Sequence, residues 1–225
     1  MRRIQKASPP PKLMQWTNVA KDLPNFKYES IDQDTREAVL KGLVKEQGGL
    51  CAYTGRSITT KTCHIEHVLA QTHCKKRGSH EDVSYHNMVA CVPKPNTTLA
   101  YGAIPKKDWP DPADPSQFDK FVSPLSDDCE RRFVFKYSGK VFPAEGGGKE
   151  ATAKTIEKLC LDNATLTRLR QSAIQSELSP KGKLLPLPHV KQRLRQLETQ
   201  TGEQEEFCFV LKQVLRQHIA SREGK

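Results

Sequence analysis

Nowhere in the 225 residues is there an apolar run approaching the roughly 18 residues that a membrane-spanning helix requires. The opening Met1-Arg2-Arg3-Ile4-Gln5-Lys6 carries charges with no hydrophobic region behind them, so neither secretion nor membrane spanning is expected. A disulfide framework is missing as well. The seven cysteines are odd in number and irregular in spacing, which argues for a reducing compartment. Together these absences predict a cytoplasmic protein. A nucleotide-binding loop is also lacking. Gly146-Gly147-Gly148-Lys149 comes nearest, but Pro143 stands where the leading glycine belongs and Glu150 where a Ser or Thr is needed. That segment reads as a linker, so any dependence on ATP has to come from a partner.

What is present is positive charge. A net charge of +10 and a sequence pI near 9.3 attract polyanions, of which nucleic acid is the commonest in a cytoplasm. Hydrophobic content of 36% with 28% charged residues describes a polar-surfaced globular chain. Its length suits one sizeable core, or a small catalytic module with a second helical part.

The chain divides into four stretches. Residues 1–48 open as a proline-rich arm (Pro9, Pro10, Pro11, Pro24), read as extended and lying across the fold because Trp16 and Phe26 are costly to leave in water. A helix follows from Asp34 to Gln47, capped by Asp32 or Asp34, with Val39, Leu43 and Leu40, Val44 at i and i+4, and Gly48-Gly49 stops it. Residues 49–102 read as strands at Cys51-Ala52-Tyr53 and Ile65–Leu69 forming a hairpin, a basic loop over 72–82, an apolar return from Tyr85 to Val92, and a short helix capped by Asn96 and ended by Gly102. Residues 103–150 are an irregular proline- and aspartate-rich loop, then a hairpin around Ser138-Gly139. Residues 151–225 are helical: Ala153, Ile156 and Leu159 share one face, as do Leu166, Leu169 and Ala173 after Asp162-Asn163, and Val190, Leu194 and Leu197. Thr201 and Gln204 resemble a capping box opening a last helix, whose face from Phe207 to Ile219 is core or, in part, a partner surface. The expected class is α+β, mainly helical.

Five of the seven histidines and four of the seven cysteines fall between Cys51 and Asn96, a crowding that suits metal coordination or acid/base chemistry. Phosphodiester hydrolysis needs a base to activate water and a cation to neutralise charge on the phosphate and leaving oxygen. His67 is the candidate base, Glu66 the metal-binding carboxylate and Asn96 a second ligand through its amide oxygen, while Asn87 orients the histidine across the loop. A hard oxygen site with room for water suits Mg²⁺ or Mn²⁺. In a regular strand Glu66 and His67 point to opposite faces and His64 stands beside Glu66. Either the strand ends or bends there, or His64 is the second metal-side residue. Lys75, Lys76 and Arg77 are candidates for tracking a phosphate backbone.

These residues also carry a family resemblance. Glu66-His67, then Asn87, Cys91 and Asn96, resemble the HNH endonuclease motif, which implies a ββα-metal core, a general base at His67, a loop-supporting Asn87 and a metal-binding Asn96. Met1 to Lys6, Gly49-Leu50-Cys51-Ala52-Tyr53, His64-Ile65-Glu66-His67 and Leu159-Cys160-Leu161-Asp162-Asn163 with Leu166 and Arg170 are similar to the HNH subunit of Septu-type and retron-associated bacterial antiphage systems. That resemblance implies nuclease action on nucleic acid, DNA before RNA, and a role in defence against phage. It also implies an ABC-type ATPase partner and, in retron-associated members, a reverse transcriptase with its msDNA. HNH proteins often hold a structural Zn²⁺ with two Cys-x-x-Cys pairs, but here the second members are Thr54 and Lys94. Zinc would need Cys51 and Cys91 joined by other donors such as Cys63, His64 or Cys74. The rival reading is a non-catalytic subunit, either a zinc-stapled nucleic-acid-binding module or a scaffold for the ATPase.

Overall fold

The computed structural model describes residues 1–224 and shows an α+β protein, mainly helical, with two small antiparallel sheets. Its first ten residues do lie across the fold: Met1 and Ile4 are buried, the Ile4 N–H donates to the Pro124 carbonyl (2.8 Å), and Lys6 pairs with Glu46. The expected arm then stops short. Pro11–Ala20 is helix α1, with proline in the first turn, where its missing N–H breaks no intrahelical bond. Leu13 and Ala20 are buried on it, and Trp16 stacks on Phe26 at 5.4 Å.

Helix α2, Gln33–Glu46, uses Asp32 as its cap, the carboxylate accepting from the Thr35 N–H at 2.8 Å. Val39 and Leu43 are buried and Leu40 and Val44 half-buried, as the i, i+4 spacing predicts. Cys51-Ala52-Tyr53 is not a strand. The Cys51 N–H donates to the Arg56 carbonyl (2.8 Å) and the Cys51 carbonyl accepts from Gly55 (3.0 Å), so this stretch closes into a tight turn. The site hairpin is instead β1, His64–His67, paired antiparallel with β2, Met88–Cys91, in the register His64 to Cys91 and His67 to Met88. The outer edge of β2 is occupied by buried Gln47, whose amide accepts from the Ala90 N–H (2.7 Å) and donates to the Ala90 carbonyl (2.9 Å).

Two further expectations fail between and after these strands. The basic stretch is helix α3, Gln71–Arg77, which buries His73 and Cys74 and ends at Gly78 in the left-handed region. No helix follows Asn96, whose φ of 61° is incompatible with the extended backbone of a helix cap. The helix there is the single-turn α4, Ala103–Lys106, which starts just where the expected one was to stop.

Beyond the four-residue helix α5, Pro115–Phe118, strands β3, Phe133–Phe135, and β4, Val141–Pro143, form the hairpin expected around Gly139. Four helices complete the chain: α6, Lys149–Lys158; α7, Ala164–Leu178, capped by Asn163; α8, Leu187–Thr199; and α9, Cys208–Glu223. Thr201 and Gln204 do not open α9. Gln204 turns its amide back onto the Gln200 carbonyl (3.0 Å), and the helix begins after Phe207, which has φ of 59°. The face from Phe207 to Leu215 is buried, so it is core and no partner surface. Buried Arg170 ties α7 to the turn after α6 through the Leu161 carbonyl (2.8 Å) and packs over the Phe135 ring. One buried apolar cluster runs from Met1 to Leu215 and takes in both hairpins.

Gly139 makes the close approach of β3–β4 to α7. A Cβ there would meet the Thr167 carbonyl oxygen at 2.2 Å, on a backbone with φ of 76°. Gly139→Ala is therefore expected to destabilise by about 2–4 kcal/mol, through left-handed strain and overpacking together. Gly78→Ala, also at positive φ but in open space, is expected to lose only about 1–2 kcal/mol. Urea midpoints of the two variants check this, and equal losses would contradict the packing argument.

Candidate active site

The register of β1 on β2 is unbroken through His67, so side chains alternate strictly and His64 and Glu66 share a face. His64 Nε2 lies 3.7 Å from Glu66 Oε2. The His64 Nδ1–H donates to the Pro93 carbonyl at 2.6 Å, which fixes the tautomer and leaves Nε2 to face the carboxylate. Both side chains keep some access to solvent, 22% for His64 and 16% for Glu66. Burial works against the charge on each. It is outweighed, so the carboxyl of Glu66 is held below the usual range by His64 and Lys106, and His64 is raised by Glu66 and the Pro93 carbonyl.

Lys106 completes this face and was not anticipated. Helix α4 carries it inward with no exposed side-chain surface, and its amine lies 3.1 Å from Glu66 Oε1 and donates to the His67 carbonyl at 3.0 Å. In the sequence it is one lysine in a stretch of prolines and aspartates, which reads as solvent-exposed. Its burial depends on the position of α4 against β1, and no local pattern carries that information.

His67 points the other way, into a nearly closed seat where it is 5% exposed. Its Nε2–H donates to the Asp82 carbonyl (2.8 Å), Nδ1 accepts from the Gln71 amide (3.2 Å), and the Tyr28 ring stands edge-on at 4.6 Å. Burial is the largest influence and lowers its pKa, favouring the neutral imidazole. Asn87 does not hydrogen-bond the imidazole as expected, that place being taken by Gln71 and the Asp82 carbonyl, and instead locks the loop that follows. Its Oδ1 accepts from the Leu69 N–H (2.7 Å) and its Nδ2 donates to the carbonyls of Leu69 (2.9 Å) and Glu81 (3.1 Å). Gln71 and Asp82 carried signals of position only, Gln71 standing four residues after His67.

The remaining candidates are scattered. Asn96 is exposed on its turn, and no hydrogen bond joins it to His64 or Glu66 among the described residues. Lys76 and Arg77 are exposed on α3, whereas Lys75 pairs with Glu29. Cys51 and Cys91 are buried close to one another. Burial opposes ionisation of Cys51, but Cys91, Thr54 and the Val92 N–H outweigh it and bring the Cys51 thiol down to about 6. Among the described residues no group of three or more His, Cys, Asp or Glu converges as a metal cage, and two thiols do not supply the four donors of a structural zinc site.

The chain matches no known protein family and no curated protein. Among the described helices none is long and apolar enough to cross a membrane.

The buried cation at Glu66 is open to measurement. Lys106→Met leaves the carboxylate without its amine and is expected to lose about 2–4 kcal/mol, less than a fully buried pair because Glu66 retains some solvent. The double variant Lys106→Met, Glu66→Gln is expected to recover part of that loss in a double-mutant cycle. Simple additivity of the two single variants would show that the pair is not coupled.

Proposed function

We propose that the chain is a metal-dependent endonuclease of the HNH type, with β1, β2 and α4 as the strands and helix of a ββα-metal core. The observation that carries this reading is the His64–Glu66 pair, an imidazole nitrogen with fixed tautomer facing a carboxylate oxygen on one strand face. A carbonyl behind a ligating histidine is the usual arrangement at metal sites. His64 and Glu66 would hold Mg²⁺ or Mn²⁺, ions that take one or two protein ligands and keep several waters. When bound, such an ion neutralises charge on the phosphate and leaving oxygen. In this reading His64 takes the ligand role that the resemblance gives to Asn96.

His67 is the base. Its Nε2–H stays on the Asp82 carbonyl while Nδ1, released by a rotation of Gln71, takes the proton of the attacking water. Asn87 keeps the loop beyond His67 closed, which holds the imidazole in that seat. Lys106 holds the Glu66 carboxylate toward the cation site as a positioning residue. Lys76 and Arg77 supply phosphate contacts. The resemblance to antiphage subunits adds a control element, an ABC-type ATPase that directs the cutting.

One observation favours a second reading. Both ring nitrogens of His67 are already hydrogen-bonded, and Lys106 already balances Glu66, as in a nucleic-acid-binding subunit without catalysis. Incubation with plasmid, single-stranded DNA and structured RNA, in Mg²⁺ or Mn²⁺ and in EDTA, separates the two. The nuclease reading predicts divalent-dependent cutting that His67→Ala lowers about 10² to 10⁴-fold with binding retained. Binding without cleavage, or unchanged cutting by His67→Ala, would remove it. Alanine at Lys76 and Arg77 together is expected to reduce the salt slope of binding by about 2 units, with Lys75→Ala adding less because of its pairing with Glu29. An unchanged slope would take α3 out of the footprint.

A further inference from the structure

Beside His64 an open cleft of about 550 Å³ runs between the N-terminal half of α2 and the start of β1. Its walls differ in chemistry. Leu40 and Ile65 are apolar, Arg36 and Lys41 bring positive charge, and Glu37 brings a carboxylate. Lys41 is exposed and has no ion pair among the described residues. Arg36 is seated firmly: its Nη2 donates to the carbonyls of Tyr28 (3.2 Å) and Glu29 (2.7 Å), and its guanidinium stands over the Tyr28 ring at 5.0 Å. Its Nε has no acceptor among the described residues. The residue is thus a rigid cationic plate backed by an aromatic ring, at the edge of a cleft that reaches the imidazole facing Glu66.

Such a combination selects its ligand. Sites of about 300–1,000 Å³ take small molecules or single residues of a polymer. An arginine plate with apolar walls suits a flat heteroaromatic ring, and a free lysine suits a phosphate. Bases in a duplex are stacked and paired, and enter such a space only after leaving the stack. We infer that the cleft seats one unpaired nucleotide, its base against Arg36 and its phosphate toward Lys41, next to the bond that is cut. The inference rests on the nuclease reading for the position of that bond, and it makes the substrate a nucleic acid with an unpaired position at the cut.

Fluorescence anisotropy of the full chain in EDTA tests this with a labelled oligonucleotide presented as a single strand, as a perfect duplex and as that duplex with a one-nucleotide bulge. The single strand and the bulge are expected to bind about tenfold tighter than the duplex, the size of one stacked base. Lys41→Glu, an exposed change outside the Arg36 seat, is expected to abolish most of that preference. Arg36→Lys, which keeps the charge and removes the plate, is expected to do the same, with thermal melting to confirm a folded chain. Equal affinity for the three forms, or a preference untouched in both folded variants, would overturn the inference. With Mg²⁺ or Mn²⁺ added, equal cutting of duplex and bulge would overturn it too and leave the nuclease reading intact. A preserved binding preference with no cleavage would instead overturn the nuclease reading and the placement at a cut, leaving a nucleotide-binding cleft.

Discussion

The alternation of side chains along one four-residue strand decides which groups meet at the candidate site. Because β1 keeps its pleat from His64 to His67, an imidazole and a carboxylate meet on one face while a second imidazole is buried on the other. A slip of one residue against β2 would exchange those faces, burying His64 and Glu66 and turning His67 outward. Much of the surrounding structure resists that slip. Gln47 grips the outer edge of β2, Lys106 holds the last carbonyl of β1, and Asn87 closes the loop beyond it. A four-residue hairpin has too few ladder bonds of its own to be independently stable, so these side-chain contacts supply what the strands lack.

The two faces differ in how they treat charge. On the outer one, Glu66 stays ionised because His64 and Lys106 outweigh its partial burial. On the inner one, His67 has no cation or carboxylate in hydrogen-bond contact, and burial keeps its ring neutral. A charged oxygen donor and a neutral, tautomer-fixed imidazole are groups that hydrolysis by an activated water uses, and here they stand on opposite faces of β1. The same hydrogen bonds would also suit a purely structural cluster, so a difference in chemistry has to be read from metal and substrate.

How far the sequence disclosed this depended on whether the signal was local. Asp32 and the spacing of Val39 and Leu43 marked α2 because a cap and an i, i+4 stripe are properties of one segment. Gly139 marked its hairpin for the same reason. Helix α1 was hidden by prolines that sit at its start, where they are tolerated, and α3 by a run of lysines that its two buried residues outweigh. The strand partner of β1 was misplaced because Cys51-Ala52-Tyr53 is as apolar as a strand but closes on Arg56. That His64 shares a face with Glu66 was legible through strand periodicity alone, whereas the place of Lys106 was not, since it depends on a contact across 40 residues of chain. Cys51 and Cys91 come together through the contact of the turn at Cys51 with β2, which no local pattern carries.

The central claim is that a divalent cation is held on the His64–Glu66 face and not at His67. Pulsed electron paramagnetic resonance of Mn²⁺ added to the full chain reads this without reference to activity, because a directly bound imidazole nitrogen modulates the manganese echo. The account predicts a nitrogen modulation that is present in the parent, survives in His67→Ala and disappears in His64→Ala. Modulation lost with His67 and kept without His64, or absent from the parent with Mn²⁺ bound, would contradict it.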